Sequence, residues 1–342
     1  MHAQEIESQT IRAGEMYGDF WFNAGPVLVS ALRGQVVLVE FWDYTDGGSI
    51  RTLPYVTAWS RKYAPFGLVV IGVHSPRFPF GKDPENVRSA ITRFGIPFPV
   101  VMDNEQLIAA RYDVRSWPTM VLIDKDGFIR YRSSGDGGYG ATEHAVQTLL
   151  YGAGVGEELP LLMEPLREAD RTGAICYRST PDIFAGYLRG SIGNVEGYNP
   201  ESVLRYADPG IYLDGRFYAD GVWMNARECL RLESGGEGEG RLIVEYQAAE
   251  VNAVMEAEGG PGLEVTVRQD DRFLDAHNKG EDIVIAADGR SYLRIDEPRS
   301  YGLVRNREYG EHTLKLSSMC NGFALYAFTF VSSVIPEQIS RN

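Results

Sequence analysis

The side chains of this sequence that could do chemistry gather around the start of one predicted helix. Apolar residues at helical spacing predict an amphipathic helix over residues 50–63, and Asp46 and Ser49 stand just before it. A carboxylate in that place is a favoured N-cap and gains about 0.3–1 kcal/mol from the helix dipole. A serine becomes a nucleophile there only if a base lies within about 3 Å, and His74, after the next predicted strand, is the candidate base. Neither Asp46 nor Ser49 carries sulfur, so neither can exchange a disulfide.

Alternating strands and helices are expected to position this helix start. Apolar runs rich in β-branched residues predict buried strands, and amphipathic stretches between them predict helices. The predicted strands cover residues 36–42, 68–73, 120–124 and 129–132, and the predicted helices cover 50–63, 84–94 and 142–151. Asp83 and Gly95 are expected to cap the second of these helices. The pattern predicts an α/β domain over residues 1–151.

The second half of the chain has a different pattern. Residues 152–179 are rich in glycine and predict a linker with one short helix over 161–169. Residues 180–342 alternate with period two between Gly, Asp and Asn, which predicts an all-β sandwich of the jelly-roll kind. The predicted strands there include residues 241–246, 262–267, 283–285, 313–316 and 323–330. We expect the last strand to be central, with Met319 and Cys320 buried beside its start.

The stretch around the helix start resembles a known redox motif. Residues 34–45, which read GQVVLVEFWDYT, are similar to the strand that leads into the motif of TlpA/ResA-like thiol–disulfide oxidoreductases, redoxins of the AhpC/TSA type. Residues 117–119 resemble the element that carries a cis-proline in those proteins, so we expect Pro118 to be cis. Asp46 and Ser49 stand at the two cysteine positions. The resemblance implies a thioredoxin fold that lacks the CxxC pair.

Both ends of the chain resemble one further family. Trp21-Phe22-Asn23 and residues 72–76, GVHSP, are similar to hallmarks of the extracytoplasmic thioredoxin-like regions of DipZ-type cytochrome c biogenesis proteins. Residues 301–304, 309–314 and 326–330 resemble the end of the β-rich C-terminal domain in those proteins, a domain similar to a carbohydrate-binding module. The resemblance covers nearly the whole chain and implies a location outside the cytoplasm.

With both cysteines replaced, the resemblance implies a redox-inactive protein that acts as a binding or scaffolding module. A protein or peptide would bind in the family's groove, and no cofactor is expected. The residues expected to line that groove are Trp42, Asp46, Trp117 and Pro118. Glu40 stands at the position of the family's buried acid, which assists proton transfer, and burial is expected to raise its pKa.

An enzymatic alternative stays open at this stage. The chain could be a thioredoxin-family oxidoreductase or antioxidant enzyme that uses a site other than CxxC. That site would be either Asp46 with Ser49 or Cys176. Cys176 lies outside the helix-terminus setting that activates a thiol, which counts against it.

Other ligand sites are weaker candidates. The backbone amides of Gly47 and Gly48 could cradle an anion, although Asp46 would repel it. The spacing of Glu40, Asp46 and His74 gives no support for a metal site, so no metal is expected. In the β domain, candidate residues for stacking a sugar are Tyr198, Tyr212, Tyr218 and, weakly, Trp223. Candidate calcium ligands there are Asp270, Asp271, Asp275 and Asp282, although a solvated loop is the favoured interpretation.

Composition limits the possible partners. A formal net charge of −14 excludes a nucleic-acid partner, because phosphate binding needs clustered Lys and Arg. No apolar run is long enough to span a membrane, and residues 1–7 have neither the basic nor the apolar region of a leader, which favours a cytoplasmic location. The three cysteines are far apart in sequence, which predicts free, buried thiols, with one disulfide as the alternative.

Overall fold

A computed structural model of the chain describes residues 11–18, 20–156, 158–233 and 238–336. The N-terminal residues on which the expectation about a leader rests lie outside these ranges. The chain divides into two compact units, Met1–Gly173 and Ala174–Asn342.

The first unit is a mixed α/β structure. Its strands are β1 (Trp21–Phe22), β2 (Val36–Trp42), β3 (Leu68–His74), β4 (Val100–Met102), β5 (Thr119–Ile123) and β6 (Ile129–Ser134). Its helices are α1 (Gly47–Tyr63), α2 (Pro84–Phe94), α3 (Leu107–Arg111) and α4 (Tyr139–Gly152). The strands form one sheet in the order β1-β4-β3-β2-β5-β6, in which β2, β3 and β4 are parallel and β1, β5 and β6 run antiparallel to their neighbours.

Strand β2 lies inside this sheet and is buried along its whole length. Its side chains alternate between two apolar clusters, with Leu38 and Trp42 on one face and Val37 and Phe41 on the other. A strand covered on both faces is the expected outcome of a continuous apolar run. The carboxyl end of β2 therefore leads directly from the core into the start of α1.

The residues that follow α4 pack onto the first unit. Leu159 is buried in its core, the amide of Met163 donates to Oε2 of Glu143 at 2.8 Å, and the amide of Leu166 donates to the hydroxyl of Tyr55 at 2.6 Å. We call residues 155–170 the strap. This stretch is part of the linker predicted over residues 152–179, but these contacts attach it to the α/β unit. The predicted helix over 161–169 is wrong, since only a short 3-10 turn at Glu168–Asp170 forms there.

The second unit is all-β. Its strands are β7 (Ile183–Phe184), β8 (Val203–Tyr206), β9 (Phe217–Asn225), β10 (Leu230–Leu232), β11 (Gly240–Ala257), β12 (Leu263–Gln269), β13 (Arg272–Phe273), β14 (Val284–Ile285), β15 (Ser291–Ile295), β16 (Arg299–Ser318) and β17 (Phe323–Val331). They form one sheet of 11 strands in the order β14-β15-β12-β16-β11-β17-β10-β9-β8, with β13 beside β12 and β7 beside β17.

The last strand, β17, is central in this sheet, as predicted. It pairs with β11, β10 and β7, and eight of its nine residues are buried. Strand β9 pairs with β11 as well as with β10. The four strands β9, β11, β17 and β10 are therefore hydrogen-bonded to one another in a closed ring. The long strands β11 and β16 change register between Ala248 and Glu250 and again at Val251.

Candidate functional site

The start of α1 is held by Asp46 and Ser49 together. Oδ2 of Asp46 accepts hydrogen bonds from the amide of Ser49 at 2.8 Å and from its hydroxyl at 3.1 Å. Asp46 is therefore the predicted N-cap. The Ser49 hydroxyl is fully buried and also accepts from the amide of Asp43 at 3.3 Å. His74 makes no hydrogen bond to it, so the predicted Ser49–His74 nucleophile is not formed.

An arginine from the next loop completes the environment of Asp46. Nη1 of Arg77 lies 2.6 Å from Oδ1 of Asp46, and both side chains are mostly buried. Burial raises the pKa of Asp46, while the positive charge of Arg77 and the Ser49 amide act in the opposite direction. The anion site predicted at Gly47 and Gly48 is disfavoured here, because a carboxylate fixed by an arginine occupies the helix start.

Pro118 lies directly against the first turn of α1. The Trp117–Pro118 peptide bond is cis, as predicted. A Cβ atom on Gly48 would lie only 2.8 Å from Cδ of Pro118 and 3.1 Å from Oδ2 of Asp46. Glycine at position 48 is what allows the helix and the proline loop to approach so closely.

Two further charged residues, Asp136 and Arg51, lie near the start of α1. Oδ1 of Asp136 lies 3.6 Å from the position that a Cβ of Gly48 would take, and Oδ2 of Asp136 lies 2.7 Å from Nε of Arg51. The ion pair with Arg51 lowers the pKa of Asp136 against the opposing effect of burial. Sequence patterns did not reveal Arg51, Arg77 and Asp136 as site residues, because they lie on separate elements and no local spacing connects them.

Glu40 is a buried acid, as predicted. It lies in the middle of β2, its side chain is fully buried, and neither carboxylate oxygen has a hydrogen-bond partner within the described chain. Burial raises its pKa well above the usual range. Glu40 is therefore held as a neutral acid over a wider pH range than an exposed glutamate.

The two tryptophans of the predicted groove differ in position. Trp42 is fully buried under the sheet, so the prediction that it lines a binding groove is wrong. Side chains of a strand alternate between its two faces. Because both faces of β2 are covered, none of its side chains reaches the surface. Trp117 is half-buried, and no hydrogen bond of the described residues uses its peptide N–H or C=O.

The candidate metal and calcium ligands do not converge. Among the described residues, no group of three or more His, Cys, Asp or Glu side chains could hold a metal ion. In the second unit, Asp270 bonds His312, Asp271 bonds Lys315, and Asp282 bonds Arg299. Each of these three carboxylates thus has its own partner within the unit, as expected for side chains on a solvated loop rather than for the ligands of one metal ion.

The aromatic residues proposed to stack a sugar are mostly interior. Trp223 is fully buried, packs edge-on against Phe323, and donates its Nε1–H to the carbonyl of Asp220 at 2.9 Å. Tyr218 is buried as well. Neither of these two candidates can therefore stack a sugar, since both belong to the core of the β unit.

All three cysteines lie in the second unit and are free. Cys229 is buried, and burial raises its pKa to about 12. Cys176 and Cys320 are exposed, so the prediction of burial is wrong for both, and the alternative of a disulfide is not realised. Met319 is exposed with Cys320, because the turn between β16 and β17 reaches solvent.

The fold and the site define a thioredoxin-like protein. Residues 19–132 match the model of the AhpC/TSA family, and residues 180–330 match the model of the thioredoxin like C-terminal domain. The chain is thus a thioredoxin-like, DipZ-like protein with an AhpC/TSA-type domain followed by that C-terminal domain. Within the described ranges, no helix has both the length and the apolar character needed to cross a membrane.

Relatives match the chain over different lengths. It is 39% identical over 315 residues to protein DipZ of Mycobacterium bovis, an alignment that covers 91% of this chain and 41% of that protein. It is 31% identical over 98 residues to the thiol-disulfide oxidoreductase ResA of Geobacillus thermodenitrificans, covering 29% of this chain and 53% of ResA. The chain therefore spans about two fifths of the length of its DipZ relative.

Solved structures match part of the chain. The crystal structure of a putative thiol:disulfide interchange protein DsbE from Chlorobium tepidum is 21% identical, with a TM-score of 0.36. That match covers 43% of this chain and 97% of the DsbE chain.

Proposed function

We propose that this chain is a redox-inactive thioredoxin-like module that binds a protein or peptide in the groove between the start of α1 and Pro118. The observation that carries the proposal is the distribution of sulfur. The chain has three cysteines, and the first of them, Cys176, comes after the end of the α/β unit at Gly173. Thiol–disulfide exchange needs a thiolate to attack and a thiol to leave, and this unit has neither.

The former redox positions support the same conclusion. Asp46 and Ser49 bond to each other and to Arg77 and Asp43, so their polar atoms already have partners. A carboxylate in this network is a weak nucleophile, and the Ser49 hydroxyl, although it donates to the Asp46 carboxylate, is fully buried and cannot contact a substrate. The arrangement stabilises the helix start and leaves no reactive group there.

The backbone next to Pro118 supports a binding role. The peptide N–H and C=O of Trp117 lack partners within the described chain, and they come just before β5. Extended ligands commonly bind by adding main-chain hydrogen bonds to such unpaired groups. The ion pairs Asp46–Arg77 and Asp136–Arg51 would flank a peptide that lay there.

The binding role can be tested with matched arginine variants. Random peptides displayed on phage are selected on the wild-type chain and measured again on Ser116→Arg, which places a bulky group beside Trp117 at an exposed site. The control is Thr92→Arg, at an exposed site on α2. The selected peptides should lose at least about tenfold in affinity, roughly 1.4 kcal/mol, on Ser116→Arg and bind Thr92→Arg like the wild type. Equal binding to both variants would place the peptides elsewhere and contradict the proposal.

For the second unit, we propose a jelly-roll-like sandwich that acts as a structural companion domain. The long strands β11 and β16 change register together near Ala248, and such irregularities let a strand bend from one layer to another. Expression of residues 174–342 alone tests this proposal. A cooperative melt with β-type circular dichroism is expected, and a disordered fragment would refute it.

A further inference from the structure

His74 is a buried histidine with no hydrogen-bond partner. It ends β3, its ring is fully buried, and both ring nitrogens lack partners within the described chain. Tyr44 stacks on the ring at a centroid distance of 5.3 Å, and Trp42 meets it edge-on at 5.2 Å. Buried polar groups without partners are rare in folded proteins, so this imidazole calls for an explanation.

Asp43 lies beside this ring and joins the two loops that border the groove. One of its oxygens, Oδ1, accepts from the amide of Thr45 at 2.7 Å and from the Thr45 hydroxyl. The other oxygen, Oδ2, accepts from the amide of Arg77 at 3.0 Å and lies 3.6 Å from Nε2 of His74. The distance to His74 is just beyond a hydrogen bond, whereas the distance to the Arg77 amide is a normal one.

We propose that Asp43 and His74 form a proton-operated latch on the groove. When the ring of His74 takes up a proton from solvent, its Nε2–H draws Oδ2 of Asp43 into a charge-assisted hydrogen bond. The carboxylate then releases the amide of Arg77, and the loop after β3 loosens. Because the side chain of Arg77 pairs with Asp46, this movement reaches the start of α1.

Burial of His74 and the charge of Asp43 determine how the stability of the folded state changes with pH. Burial lowers the pKa of His74, and the charge of Asp43 opposes this effect. The folded state with a neutral ring is therefore favoured at neutral pH, and its stability falls as the pH drops below the ordinary pKa of histidine towards the lowered value. Protonation consequently favours any rearrangement that brings a carboxylate closer to the ring.

Other charged groups around His74 have different partners. Asp103, after β4, accepts from the amides of Ile108 and Ala109, and Asp46 pairs with Arg77. Glu40 lies on the same face of β2 as Trp42, and burial raises its pKa. Among the described residues, Asp43 is the carboxylate that lies within 4.0 Å of the His74 ring nitrogens.

Nuclear magnetic resonance tests the latch without any ligand. The carbon resonance of the His74 ring and the amide resonances of Thr45 and Arg77 are followed from about pH 8 downward until the ring has titrated or the protein has unfolded. In the wild type, both amides should shift with the same midpoint as the His74 ring. The shift of the Arg77 amide should be lost in His74→Gln and kept in His144→Gln, which removes an exposed histidine on α4.

A second variant keeps the test decisive if His74→Gln does not fold. Asp43→Asn removes the carboxylate, so the midpoint of the His74 titration should move to lower pH. Glu40→Gln is the control: it removes the nearby buried acid and should leave the coupling between the His74 ring and the Arg77 amide intact. The latch is refuted if the Arg77 amide stays constant while the His74 ring titrates. It is also refuted if Asp43→Asn leaves the midpoint unchanged, or if the protein unfolds before the ring takes up a proton.

Discussion

Nη1 of Arg77 lies 2.6 Å from Oδ1 of Asp46, although the two residues are 31 positions apart in the sequence. Asp46 caps α1 and Arg77 follows β3, so the ion pair joins two segments that border the groove. Both side chains are mostly shielded from water, with exposed fractions of 13% for Asp46 and 12% for Arg77. A fixed pair of charges thus stands at the helix start, where a thiol would be needed for redox chemistry.

Asp46→Ala should destabilise the first unit more than the loss of a simple helix cap. The cap itself contributes about 0.5–2 kcal/mol, and the substitution also removes the ion pair with the mostly buried Arg77. Asp83→Ala is the matched control, because Asp83 caps α2 by accepting from the amide of Glu85 at 2.9 Å. Urea unfolding gives both free energies. Equal losses in the two variants would show that the Arg77 pair contributes nothing to stability.

Gly48→Ala should destabilise the protein by about 1–3 kcal/mol, because the new methyl group would meet the rigid ring of Pro118 at 2.8 Å. Gly140→Ala is the control. Gly140 also lies in the first turn of a helix, but nothing lies within 4 Å of its Cβ position. It should be neutral or gain up to about 1 kcal/mol. A similar change in thermal stability for both variants would mean that Pro118 does not press against α1.

Glu40→Gln should change how stability depends on pH. Because burial raises the pKa of Glu40, the folded state holds its proton more tightly than the unfolded chain does. This contribution to stability is complete below the ordinary pKa of glutamate and is lost as the pH rises through the raised value. The variant should therefore be more stable than the wild type at neutral pH, and the difference should shrink in acid. A constant difference across the pH range, measured by urea unfolding, would contradict the assignment.

Leu159→Ala should cost the first unit about 2–5 kcal/mol, since this leucine of the strap is buried in the core. Leu161→Ala makes the same chemical change two residues later, at a side chain that is 90% exposed, and should change stability by less than about 0.5 kcal/mol. Chemical unfolding of the two variants compares them directly. Equal effects would show that the strap is a loose linker.

Local signals in the sequence predicted much of the fold. Helix α2 begins and ends as predicted because Asp83 and Gly95 are capping residues whose effect does not depend on distant partners. The strands β5 and β6 and the central place of β17 followed from runs of apolar side chains. The strap was not predicted, because its contacts to Tyr55 and Glu143 connect residues far apart in sequence.

The candidate site was predicted only in part. The cap at Asp46 and the burial of Glu40 are properties of one element each, and both predictions are confirmed. The pairing of Arg51 with Asp136 depends on how α1 meets the loop after β6, a tertiary relationship that spacing cannot reveal. The groove position predicted for Trp42 is wrong, and the sequence already argued against it, since a strand expected to be covered on both faces cannot also line a groove.

Reduction of insulin disulfides in the presence of dithiothreitol tests the central claim most directly. The wild-type chain should not exceed the uncatalysed rate, because its α/β unit contains no cysteine. The double variant Asp46→Cys, Ser49→Cys is the matched positive control and should gain activity, since Glu40, Pro118 and the helix start remain in place. Turnover by the wild-type chain would contradict the account.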